Sequence, residues 1–341
     1  MRILHRRLGL ALGSANTLSR AEIIALTRRA EELGYESVWA GESWGFDAFT
    51  TLTELAVHTS TIKIGTHIAT IFSRTPGMLA QSAASLDDIS GGRLILGLGT
   101  SGPKVVRDWH GQSWERPLRR MREVIDIVRL ALSGERVDYE GELFKVSGFR
   151  LRAALSKRDV PIMIASLGQR SVEQTGEIAD GWLPIFPTTA LVTESLIWLA
   201  QGAVRAKRDT TAVEIAPTLL TAVSDDDAAV RDMARAHLAF YIGGMGSFYH
   251  DLVIRQGFAT EADRIKSAWA KPRREGREAA AAAVTDEMLD AITLVGSRTS
   301  VLGRLSAYAD AGVTLPILMF PFGADRALVE QTLEALRPDR Q

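Results

Sequence analysis

The chain has 341 residues, 46% of them hydrophobic and 24% charged, with 40 Lys and Arg against 41 Asp and Glu. That balance is the composition of an ordinary soluble globular protein, and it leaves no basic excess for neutralising nucleic-acid phosphates. Cysteine is absent, which excludes disulfides, thiolate metal sites, iron–sulfur clusters and a cysteine nucleophile.

The first apolar run, 8–13, follows Arg6-Arg7 and could be mistaken for an export signal. It is too short for the apolar core of one and no small-residue cleavage site follows, so it reads as a buried strand. Ser19-Arg20-Ala21-Glu22 has capping-box spacing, and Ile23, Leu26, Ala30 and Leu33 follow at helical intervals up to Gly34. The second strand, 37–41, leads into a helix through Phe49, Leu52, Leu55 and Ala56 that ends near Ser60. The third strand is 62–70, and its helix opens at Pro76 and closes at Gly91-Gly92. The fourth is 93–98, with a helix delayed to Pro117 that runs to Gly134. Segment 136–150, with Glu140-Gly141 between β-rich flanks, predicts an inserted hairpin. A fifth strand at 160–166 precedes a helix over 169–179; the sixth is 181–186 and the seventh 213–224. From 225 to 293 the pattern is helical and alanine-rich with no convincing strand, before an eighth strand at 315–320 and a last helix at 324–336. No stretch approaches the roughly 18 consecutive apolar residues of a membrane span, and a cytoplasmic protein is expected.

Eight strands, each followed by a helix, predict an α/β protein of the (β/α)8 TIM-barrel class. The barrel would form one domain over 1–341, with a hairpin inserted before the fifth strand and a helical insertion of about 225–293 between the seventh and eighth. A doubly wound open sheet is the competing topology. It would find support in Gly97-Leu98-Gly99-Thr100-Ser101-Gly102, a literal G-x-G-x-x-G. Pro103 and a loop follow it, however, and the acid 21 residues past Gly102, Glu123, falls within an amphipathic helix instead of ending a strand. The glycines are expected to let a ligand approach the backbone.

A barrel builds its site at the C-terminal strand ends. These carry Gly13 and Ser14, then Glu42, Ser43 and Trp44, then 67–70 with Arg74, then Thr100 and Ser101, Ser166 to Gly168, Phe186 and Phe320. Only Glu42, His67 and Arg74 are ionisable there. The six histidines include no metal-ligand spacing, and there is no G-x-S-x-G elbow. A mouth rich in aromatic and hydroxyl groups but poor in acid–base pairs suits a planar organic cofactor that brings its own chemistry. Ser166-Leu167-Gly168-Gln169 joins a strand to a helix whose first amides could hold a phosphate, with Gly181 and Trp182 closing over it. The alternative for Gly168 is a simple turn.

Segment 86–99, LDDISGGRLILGLG, resembles the "LDxxSGGRxxLGxG" signature of the luciferase-like oxidoreductases. Segments 39–45, 73–76, 160–168, 177–182 and 308–313 are similar to further blocks of that family, in order. The resemblance implies a flavin or deazaflavin barrel, and Ser-Arg-Thr-Pro with Gly-Thr-Ser-Gly-Pro is most similar to the branch using coenzyme F420; FMN is the alternative cofactor. It further implies a non-prolyl cis peptide at His67–Ile68 and a homodimer acting on a small-molecule substrate, with no nucleic acid or membrane partner. The cofactor would contact Glu42, His67, Ile68, Thr100, Ser101, Ser166, Leu167, Gly168, Gln169, Gly181 and Trp182, with Glu42 and His67 as catalytic groups in a hydride transfer. The family commonly has Asp-His where this chain has Glu42-Ser43, so a histidine acting there is missing; Glu42 could instead be a structural ion-pair partner. The insertion, with Phe240 to Tyr249 as glycine-hinged aromatic surface, would cover the substrate, the alternative for that stretch being plain helix packing with a glycine break; Trp109-His110 is a second candidate wall, with a structural role as the alternative for His110. The competing functions are an FMN-dependent monooxygenase and a non-catalytic (deaza)flavin-binding protein.

Overall fold

The computed structural model describes residues 7–12, 18–42, 44–153 and 159–338. The expected strand-end residues Gly13, Ser14 and Ser43 lie outside them.

In chain order, β1 (Gly9–Ala11) leads to α1 (Arg20–Leu33), which opens on a complete Ser19/Glu22 capping box and stops at Gly34 with φ 90°. β2 (Ser37–Ala40) precedes α2 (Ala48–Val57), capped by Asp47. The expected third strand is divided into β3 (Lys63–Thr66) and β4 (Ala69–Thr70), and α3 (Pro76–Ser90) follows. After β5 (Leu94–Gly99) the chain makes a π-helical turn, Val105–Trp109, before α4 (Pro117–Leu132). β6 (Arg136–Glu140) and β7 (Lys145–Arg150) pair antiparallel as the expected hairpin. β8 (Ile162–Ala165) and α5 (Gln169–Ile178) come next.

The sixth strand shrinks to β9 (Gly181–Trp182), and α6 (Thr189–Arg205) follows, a helix not marked out in the sequence. Pro217, which has no N–H to give a ladder, separates β10 (Glu214–Ile215) from β11 (Thr218–Val223). The insertion is α7 (Asp227–Gly244), α8 (Ser247–Arg255), α9 (Ala259–Trp269), α10 (Arg273–Ala282) and α11 (Asp286–Ile292). β12 (Thr293–Gly296), an unexpected strand, is buried along its whole length and follows α11 without a linker, so no turn signal announces it. The chain closes with α12 (Arg298–Asp310), β13 (Ile317–Met319) and α13 (Arg326–Ala335).

The described residues divide into two compact units, unit I comprising Glu36–Leu183 and Ile197–Glu214 and unit II the remainder. In unit I the strands pair in parallel in the order β2, β3, β5, β8, β9, with β4 alongside the end of β5. Two glycines make that sheet possible. A Cβ at Gly65 would lie 2.2 Å from the ring of Trp39, and one at Gly97 would lie 2.0 Å from the carbonyl oxygen of Thr66. The Thr66 hydroxyl donates to Gly97 O at 2.7 Å and accepts from Gly97 N at 2.8 Å, a buried clasp between β3 and β5.

The hairpin is held by one carboxylate. Glu123, on α4 and fully buried, accepts from the backbone N–H groups of Glu142, Leu143 and Phe144 at 2.9 Å each and from Arg119 at 2.7 Å. Burial alone would raise its pKa, but these donors outweigh burial and hold it below the ordinary carboxylate range.

In unit II the parallel order is β12, β11, β13, β1. The two ends of the insertion are tied by charge: Arg231 of α7 bonds Asp286 and Asp290 of α11, each at 2.8 Å, and Arg304 of α12 reaches Asp290 at 2.5 Å.

Candidate functional site

Of the residues singled out in the sequence, those expected to hold a cofactor all fall in unit I. The ends of β2, β3 and β5 are laced together there. His67 N–H donates to Ala40 O at 2.7 Å, and Glu42 N–H donates to Ile68 O at 3.2 Å. A Cβ at Gly41 would lie 2.0 Å from His67 O, so only glycine lets the backbones approach this closely. The His67–Ile68 peptide is cis, at the bond the resemblance marks. Ile71 N–H then bonds Gly99 O at 3.0 Å, which brings 67–71 against Thr100 and Ser101, the latter with φ 53°.

The His67 ring meets Trp39 edge-on, with centroids 6.3 Å apart. Although the residue keeps some solvent contact, its imidazole is desolvated enough for burial to push the pKa down to about 4. His67 is therefore neutral at pH 7 and offers hydrogen bonds, not positive charge.

Glu42 is committed to neighbours. Its side chain is 9% exposed, and its two oxygens lie 2.6 and 2.8 Å from Arg74 Nη1. Arg74 also pairs with Asp47 and lies 4.8 Å from the centroid of the Phe49 ring. Burial raises the Glu42 pKa and Arg74 opposes the rise without cancelling it. For Asp47, burial is outweighed by the Thr50 N–H and hydroxyl and by Arg74, and its pKa is lowered. Asp47 was not marked out in the sequence; its signal is the cap position three residues before Thr50.

At the β8 end, Ser166 is 4% exposed and its hydroxyl shares a 2.8 Å hydrogen bond with Thr175 of α5. Gly168 caps α5 with an ordinary extended backbone, φ −98° and ψ 152°. The nearest atom to a Cβ built there would be Ser171 Oγ at 3.8 Å, so its missing side chain leaves room at the helix N-terminus. Gln169 donates its side-chain amide to Glu173 at 2.9 Å on the exposed face. Leu167 is partly exposed between them.

Gly181 and Trp182 do not close over this turn. Trp182 is 1% exposed and its indole N–H donates to Ser166 O at 2.9 Å, so it supports the turn from within the core. Gly181 makes room for Met163, whose Cγ would lie 2.7 Å from an added Cβ.

Two glycines of the glycine-rich motif also prove to be internal architecture, while Gly102 lies in open space. Gly97 and Gly99 are strand residues, Gly97 facing Thr66 and Gly99 making room for the Ile68 side chain, 2.8 Å from an added Cβ. Neither leaves the space for a ligand that the sequence suggested, and Glu123 is the hairpin anchor. Trp109 is 63% exposed on the π-helical turn. In unit II, Gly243 and Gly244 are not hinges: both lie within α7, where an added Cβ would meet the Trp269 side chain at 2.7 to 2.8 Å. Among the described residues no cluster of His, Asp or Glu is arranged to hold a metal.

The family model for luciferase-like monooxygenases matches residues 5–315. The chain belongs to the luciferase-like monooxygenase family. Within it, a Mycobacterium tuberculosis protein named as a candidate coenzyme F420-dependent oxidoreductase is 35% identical over 92% of this chain and 94% of its own. The 5,10-methylenetetrahydromethanopterin reductase of Methanolobus tindarius is 31% identical over 89% and 92%. Among solved structures, the coenzyme F420-dependent tetrahydromethanopterin reductase of Methanopyrus kandleri superposes with a TM-score of 0.82 at 23% identity, covering 98% of both chains. That likeness places this luciferase-like chain in the (β/α)8-barrel fold class.

Proposed function

We propose that the chain is a coenzyme F420-dependent oxidoreductase that moves a hydride between the deazaflavin and a small organic substrate. The observation that carries the reading is the 35% identity, over 92% of the chain, to a protein named for F420-dependent oxidoreduction. The geometry of unit I is compatible with it. The room beside Gly168, at the positive end of α5, fits a phosphate, and the Ser166 hydroxyl and the amides of Gly168 and Gln169 would hold it. His67, Ile68, Thr100 and Ser101 would border the ring. When bound, the deazaflavin supplies a carbon centre, C5, that accepts or releases a hydride.

The chain's own contribution is position and electrostatics. Neutral His67 adds a hydrogen-bonding group without charge. Glu42, its pKa raised by burial, is the candidate to hold or release a proton at a carboxyl oxygen, and Arg74 fixes where that oxygen lies. The reading extends to one barrel domain over 1–341 and to a cytoplasmic homodimer.

Titration of the full-length protein with F420 and with FMN, followed by tryptophan fluorescence, tests the reading. F420 is expected to quench at micromolar concentration and FMN not; the reverse order, with a yellow protein that consumes oxygen, would establish the FMN monooxygenase instead.

A further inference from the structure

We infer that Arg120 is an anion-recognition residue, receiving a carboxylate or phosphate of the molecule bound at the strand ends of unit I. The inference rests on the functional reading above only for what that molecule is.

α4 opens unusually. Its first turn holds no acidic residue, its cap position is Arg116 with no capping side chain, and Arg119 and Arg120 stand at the positive end of the helix dipole. Two of these three cations are compensated within the protein. Arg116 pairs with Glu142, and Arg119 with Glu123 at 2.7 Å and Glu142 at 3.1 Å. Arg120 makes no ion pair with any described carboxylate. Its guanidinium carbon lies 4.8 Å from the ring centroid of Phe72 and 5.1 Å from that of Phe144, and its Nε is buried without an acceptor. Loss of water lowers its pKa, and Glu123 and Glu115 only partly offset this.

Leucine or methionine could fill the gap between two phenyl rings without the partial loss of hydration that the arginine suffers there. What arginine adds is a planar fork, set in direction by the two rings and able to meet two oxygens at once. The residue remains partly exposed, so the fork is not sealed in.

Its location matches that role. Phe72 is the second residue past β4, and its neighbour Ile71 bonds the last residue of β5, next to Thr100. Leu118 O, in the first turn of α4, accepts from Gln174 of α5 at 2.9 Å. Through Phe72, Arg120 thus stands on the side of unit I where β4 and β5 end, with the first turn of α4 beside the middle of α5.

The test uses full-length protein, with Arg120→Met and Arg120→Lys beside wild type. Affinity is measured for F420 and for its deazaflavin chromophore lacking phosphate and anionic tail, and the Tm shift is measured with inorganic phosphate and with glutarate, each with and without F420. If the anion belongs to the cofactor, R120M weakens F420 by about tenfold or more, leaves the bare chromophore unchanged, and R120K recovers part of the loss. If it belongs to the substrate, F420 affinity is unchanged and the phosphate or glutarate shift measured with F420 present is lost in R120M. An R120M protein with lower Tm but unaltered affinities and anion shifts would show a packing role and overturn the inference. Failure of the wild type to bind F420 overturns the cofactor reading alone, since Arg120-dependent phosphate and glutarate shifts are read without it.

Discussion

At the scale of single residues, the side chains around Glu42 and His67 set which charges the site can present. With a pKa near 4, His67 is expected to titrate far below neutrality; its imidazole resonances should shift with a midpoint near pH 4. A midpoint above 6 would contradict the burial that keeps it neutral. Glu42 moves the other way. Arg74 is the attraction that restrains its rise, so Arg74→Met should raise the Glu42 pKa further and move any acid limb of the pH–rate profile that reports Glu42 to higher pH. An unmoved limb would assign the profile to another group. Gly168 offers a test with little effect on the fold, because its φ suits any residue and open space surrounds it. Gly168→Leu should cost about 1 kcal/mol at the cap and weaken F420 binding many-fold; unchanged affinity would remove the α5 turn from the site.

At the scale of elements, glycines and one buried carboxylate decide which strands can form. Gly97→Ala should destabilise by several kcal/mol, on the order of a severe core defect, since the added carbon would lie 2.0 Å from backbone oxygen in a neighbouring strand. Gly102→Ala, with nothing within 4 Å, should be nearly silent in the same denaturation experiment. Glu123→Gln should loosen the β6–β7 hairpin at a cost of about 2 to 3 kcal/mol, because an amide cannot accept the same set of N–H groups. Since the folded Glu123 pKa is depressed, its contribution is complete above the ordinary carboxylate range and is lost as pH falls through the folded value. The stability of wild type and E123Q should therefore converge on acidification.

These elements also explain what could be read from the sequence. Ser19/Glu22, Pro76, Gly91 and the hairpin turn announce themselves because their signals are local. β12 does not, being four buried residues continuous with a helix. The roles of Gly97, Gly99 and Trp182 were beyond reach because what each glycine faces, and what the indole bonds, lies on another strand or turn. The order of strands put Glu42, His67 and the Ser166 turn just past β2, β3 and β8, where the structure has them, whereas the Asp47 and Thr175 contacts that orient them are made across the fold and have no local signal.

At the scale of the whole molecule, each unit holds a histidine whose pKa burial pushes down: His67 in unit I and, to about 3, His237 in unit II. For both, the folded value lies below the unfolded 6.5, so the stability they contribute is complete above about pH 6.5. It is lost as pH falls toward 4 for His67 and 3 for His237. The Tm should decline across that window, more steeply in wild type than in His67→Asn; equal slopes would mean that His67 does not couple folding to protons.

The ion pairs that join α7 to α11 and α12 have a consequence for the chain's capacity to change. Arg231, its side chain 15% exposed, ties the first part of α7 to α11 and so fastens the excursion spanning 232–285 at its base. Closing a fastened loop depends only logarithmically on length, about 0.6 kcal/mol per doubling. Segments can therefore be added or removed between α7 and α11 with little entropic effect on the strands beneath, leaving this excursion freer than the barrel to diverge.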